Sequence, residues 1–232
     1  MSRPTASDTR VIAPGSALVS ALAGITLAAG GFVIGIGATE FTGDTTSFWY
    51  LSRASGFVAY LLLWGSVMWG LFLSTGTGRA WMRPPQLLDA HQFLSAVGVG
   101  FTSFHGLVLM GDRHVSFPLR AVVVPFAASY APLLVACGQI AIWLSLLLIA
   151  SFYVRRRIGG RVWRQLHYAS FAAFWLAFVH GILLGTESAT VWASSLYLTT
   201  ACPVIFLSLH RILSTTKVGD MVLGRDTIVQ PS

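Results

Sequence analysis

Six apolar runs divide the chain, at about 14–37, 49–74, 86–110, 131–154, 165–185 and 190–212. Each exceeds the roughly 20 residues that carry an α-helix through a bilayer. Charged positions gather between the runs. The runs are long, rich in Leu and Ala, and lack the short apolar/polar alternation of membrane barrel strands, so the pattern predicts helices. The expected fold is an all-α membrane protein, a six-transmembrane-helix bundle over 14–212 with short tails at 1–13 and 213–232.

Composition narrows the setting. Of the 232 residues only 10% are charged and 55% are hydrophobic, a balance that water-soluble domains of this size do not sustain. Arg3 and Arg10 precede the first run, as in a signal peptide, but the run is too long for a typical signal-peptide core and is expected to be retained as a span. No internal repeat, low-complexity segment or interdomain linker is evident, so the chain reads as one membrane domain. The glycines between Gly31 and Gly37 resemble a nucleotide-binding pattern only in spacing, because no strand precedes them.

The basic residues orient the spans. With the N-terminus inside, twelve Arg and Lys side chains fall on the cytoplasmic side (among them Arg79, Arg83, the Arg155–Arg164 group and Arg211), against Arg53, Arg113 and Arg120 outside. The positive-inside rule therefore places both termini in the cytoplasm, in a cell inner (plasma) membrane. Topology accounts for the net charge of +7, and no nucleic-acid partner is needed. The Arg155–Arg164 segment is expected to face anionic lipid head groups. Cys137 and Cys202 lie inside apolar runs and read as packing residues; no Cys-x-x-Cys-His sequence for covalent haem attachment occurs.

Histidines carry the candidate chemistry. His91 and His105 lie fourteen residues apart in the third run, and His167 and His180 thirteen apart in the fifth. Fourteen helical residues span roughly 21 Å and differ by about 40° in azimuth, so the first pair shares a face near opposite membrane surfaces. Thirteen residues leave the second pair about 140° out of phase, which predicts an over-wound, 3₁₀-like stretch between them. The third and fifth runs point the same way, so His91 matches His167 in depth and His105 matches His180. Intramembrane imidazoles are costly and are common axial ligands of haem iron. The expectation is two b-type haems, one on His91 with His167 and one on His105 with His180. Gly56, Gly65, Gly98, Gly100 and Gly138 could give a porphyrin room or serve close helix packing. His114 and His210 have no depth-matched partner and read as surface residues. Phe174 and Trp175 lie between the two levels, where packing is the plainer role. The segment from Val122 to Pro132 reads as a lid over the outer level or as an interfacial connector. Arg53, at the outer start of the second run, could pair with haem propionates or snorkel to lipid phosphate.

The runs WYLSRASGFVAYLLLWGSVMWG at 49–70, VVVPFAASYAPL at 122–133 and RRRIGGRVWRQLHYASFAAFWLAFVHG at 155–181 resemble the ferric reductase-like transmembrane domain, the membrane half of ferric reductases and NADPH oxidases. The resemblance covers about residues 48–212. It implies that His91, His105, His167 and His180 take the haem-ligand positions, with Arg53 near the outer haem. Larger members carry a flavin and nicotinamide domain after the last span. No flavin or NAD(P)H site is read in this chain, so the donor is expected to be a separate flavoprotein or membrane quinol, and the acceptor to lie on the outer face. Whether the chain is itself an enzyme or an oxidoreductase component stays open. Two alternatives stand beside electron transfer: a non-catalytic haem-binding subunit that anchors a redox partner, and a His-lined proton or metal transporter. The transporter would call for acidic residues inside the spans, where only Asp89 is found, two residues before His91.

Overall fold

The computed structural model describes residues 46–112 and 117–215, and within them every regular element is a helix. They are α1 (Thr46–Thr75), α2 (Pro84–Val108), a short α3 (Leu119–Val123), α4 (Pro132–Ile158), α5 (Gly160–His167), α6 (Ala169–Leu184) and α7 (Val191–Thr215). Five stretches are long and apolar enough to cross a membrane: 47–75, 84–111, 132–158, 160–184 and 191–213. They match the second to sixth apolar runs. The first run, at 14–37, and His114 lie outside the described residues.

Local sequence sets the helix ends. Pro84 and Pro85 open α2, where a missing N–H costs nothing, and the Arg83 N–H donates to Gln86 Oε1 at 3.1 Å. Pro132 opens α4 in the same way, and Gly159, at φ +83°, ends it in a conformation that favours glycine. The loop before α4 holds two non-glycine residues in the left-handed region, Phe126 and Ala131. Such backbone costs about 1–2 kcal/mol per residue.

Two helix pairs face each other. α1 packs along α2, α4 packs along α6, and α7 closes against α1. The tightest core lies between α1, α6 and α7, built on Tyr60, Met68, Leu71, Phe174, Tyr197 and Val204. Phe174 is fully buried, with Tyr60 stacked 6.0 Å away. The Tyr60 hydroxyl shares a 2.6 Å hydrogen bond with Thr200 Oγ1, and Trp64 Nε1 donates to Thr200 O at 2.9 Å. These polar bonds tie α1 to α7 close to Pro203, which removes one backbone hydrogen bond from α7. Leu133, Leu147, Leu183, Leu198 and Phe206 stay exposed on the outside, the surface that contact with lipid requires.

Candidate cofactor site

A cavity of about 1000 Å³ runs between the α1–α2 and α4–α6 pairs, from Trp49 and Arg53 at one end to Ser74 and Arg211 at the other. A single small-molecule pocket occupies about 300–1,000 Å³, so this space is larger than most single-ligand sites. All four intramembrane histidines line it.

They meet in the two pairs that depth matching predicts. The rings of His91 and His167 lie 5.9 Å apart, centre to centre, at 76° to each other. Those of His105 and His180 lie 6.1 Å apart at 80°. Two imidazoles holding one metal ion from opposite sides, each nitrogen about 2 Å from it, place their ring centres about 6 Å apart. Among the described residues no three His, Cys, Asp or Glu side chains converge, so each level offers two nitrogen donors.

Hydrogen bonds decide which nitrogen is available. His91 Nδ1 donates to Ser66 O, His105 Nδ1 to Ser52 O, and His180 Nδ1 to Leu134 O, each at 2.8 Å. A carbonyl only accepts, so Nδ1 carries the proton and Nε2 keeps the lone pair that ligates metal. The Ser52 and Ser66 hydroxyls lie 3.3 Å from the same Nδ1 atoms. Acceptors behind Nδ1 fix ring orientation and raise ligand basicity.

Glycines make the close approach possible. A Cβ built on Gly56 would fall 3.0 Å from the His105 ring, one on Gly70 3.4 Å from His91, and one on Gly138 2.9 Å from His180 Nδ1. Of the glycines expected to give a porphyrin room or to pack helices, Gly56 and Gly138 lie against histidine rings, whereas Gly65 faces Leu94 and Gly98 faces Leu62 in ordinary helix contact. Gly100 meets no atom within 4 Å. Gly70 escaped the sequence reading, and so did a repeat in α1: Ser52-x-x-x-Gly56 recurs fourteen residues on as Ser66-x-x-x-Gly70. That spacing equals the separation of His91 and His105 on the antiparallel neighbour, and it was the available signal.

The helix carrying His167 and His180 is broken between α5 and α6. Tyr168 N–H donates to Gln165 O at 3.2 Å and Phe171 N–H to Tyr168 O at 3.1 Å, both three residues back. This is the over-wound geometry of a 3₁₀ turn, and it turns the chain in the direction that thirteen residues require.

The remaining candidates divide. Arg53 lines the cavity and pairs with Glu187, a residue the sequence reading passed over; both side chains are part-buried. Trp163 stacks on His167 at 5.1 Å and 26°. Ala121, Val122, Val123 and Tyr130 line the cavity, held by Gln139 Nε2 on the Ala121 and Val122 carbonyls at 2.6 and 3.1 Å and by Trp143 Nε1 on Val123 O at 2.9 Å. Phe174 and Trp175 belong to the aromatic core and do not line the cavity; nor do Asp89 and His210. Cys137 is half-buried, whereas Cys202 is exposed on α7, which corrects its reading as a packing residue. No protein-family model, curated protein or solved structure matches this chain.

Proposed function

We propose that the chain is a di-haem b-type electron-transfer protein of a cell membrane, resembling the ferric reductase-like family. Its inner level is His91 with His167, and its outer level is His105 with His180. The observation that carries the reading is the pair of facing imidazoles, spaced for one metal centre, at two levels of one elongated cavity. Two further features support the reading: three Nδ1–H bonds leave Nε2 lone pairs, and Gly56, Gly70 and Gly138 let the rings of His105, His91 and His180 seat against the helix behind them.

Haem held by these histidines would supply one-electron chemistry. The protein's part is to orient His91, His105 and His180 through their Nδ1–H bonds, to exclude water with apolar walls, and to place the two levels about 21 Å apart along α2. Arg53 would supply positive charge at the outer end, with Glu187 setting how much of it is felt. Electrons would enter from a flavoprotein or quinol on the inner side and leave to an outer acceptor. A proton or ion path is less well supported, because Glu187 is the one carboxylate among the described cavity-lining residues, and it is paired.

The deciding experiment is a reduced-minus-oxidised spectrum of the detergent-purified chain with haem quantitation. Two low-spin b-type haems per chain are expected, with one lost in His180→Ala. A folded, colourless protein expressed with ample haem would overturn the reading.

A further inference from the structure

The two levels are built unequally, and the difference sits on one histidine. At three positions the same device recurs: a carbonyl at residue i accepts Nδ1–H, and glycine at i+4 leaves room for the ring. Ser52 and Gly56 serve His105, Ser66 and Gly70 serve His91, and Leu134 and Gly138 serve His180. Fourteen residues further along α4, where a fourth copy would stand, the sequence has Leu148 and Phe152. There the device is absent. The Leu148 carbonyl accepts the Ser151 hydroxyl at 2.7 Å, Phe152 takes the place of glycine, and His167 Nδ1 is buried with no hydrogen-bond partner among the described residues. His167 is instead flanked by Trp163, with Phe152 6.3 Å behind the indole. The Trp163 Nε1 atom is also buried and has no partner among the described residues.

An imidazole that donates Nδ1–H to a carbonyl is a stronger ligand fixed in one orientation, and one that does not is weaker and freer to turn. Stacking limits tilt but supplies no acceptor. We propose that His167 is the exchangeable ligand of this protein: a small neutral ligand such as carbon monoxide displaces it from reduced iron at the His91–His167 level, while the His105–His180 level stays closed. The inference rests on the di-haem reading. In the exchange the iron bond to His167 Nε2 breaks and an iron–carbon bond forms. The freed imidazole stays neutral and no electron moves, the iron having been reduced beforehand by added dithionite.

The test uses the full chain in detergent, its haem content measured first, then reduced with dithionite and titrated with carbon monoxide while the haem absorption bands are followed. Half of the haem should respond. In His167→Ala the responding share should not rise: the same half binds faster, or, if haem is lost from that level, the remaining haem does not respond. Two haems that both bind, two that both refuse, or a His167→Ala chain in which all remaining haem responds would each overturn the proposal. Haem content separates the two readings. A chain without haem fails the functional proposal and this one with it, whereas two unresponsive haems fail only this one.

Discussion

A side chain at Gly138 would press on His180, because its first carbon would stand 2.9 Å from the Nδ1 that donates to the Leu134 carbonyl one turn earlier. If the proposed haem is held at this level, the glycine is what lets its ligand seat. Gly138→Val should therefore remove the outer haem and spare the inner one, halving haem per chain with the helical content unchanged. Full haem occupancy in that variant would show that the ring has somewhere else to go.

Gly70→Val is the counterpart on the other level, since a Cβ there meets His91 at 3.4 Å. The contact is looser, so part of the inner haem should survive, and Gly70→Ala should bind close to the full amount. Haem per chain across this graded series separates a steric effect from general misfolding.

Arg53 and Glu187 act with opposite sign. Reduction lowers the positive charge on a haem, so a nearby cation favours it and an anion opposes it. Arg53→Gln should lower the midpoint potential of the outer haem and Glu187→Gln should raise it, as read by redox titration. The pair is part-exposed, so losing it should cost less than about 1 kcal/mol of stability. Shifts of the same sign in both variants would mean that the effect is structural.

Gln139→Leu removes the two hydrogen bonds that hold the Ala121 and Val122 carbonyls. Leaving buried carbonyls unpaired costs about 1–3 kcal/mol. The expected result is a lower melting temperature, with faster hydrogen exchange concentrated in 119–131. Uniform acceleration throughout α4 would point to helix disruption instead.

Phe174→Ala should destabilise by about 3–5 kcal/mol, the cost of emptying a tightly packed aromatic site, because the ring is fully buried against Tyr60, Trp175 and Phe178. Haem content and low-spin spectra of the folded fraction should be unchanged. A slowed electron exchange between the levels, measured by flash reduction, would instead make the ring part of the conduction path.

The sequence carries the helices and the histidines plainly, because apolar length and rare intramembrane polar residues are local signals. The second to sixth runs and the four ring positions needed no tertiary information. The thirteen-residue spacing called for an over-wound stretch between His167 and His180, but its place at Tyr168 could not be read from the spacing. What stayed hidden was relational. Nothing in the residue name of Leu134 marks its carbonyl as the acceptor for His180, because any residue offers that carbonyl. Choosing Gly70 over Gly65 requires knowing the rotation of α1 against α2. Glu187 lies in a connector between runs, and only folding brings it to Arg53.

The matching fourteen-residue intervals on α1 and α2 act as a ruler. Both are counted along continuous helix, so the separation between the two levels is fixed by backbone hydrogen bonding and not by loops or by the surrounding lipid. In a thicker or thinner bilayer the bundle would answer by tilting or by shifting its interfacial side chains. The distance between the two histidine levels would stay the same.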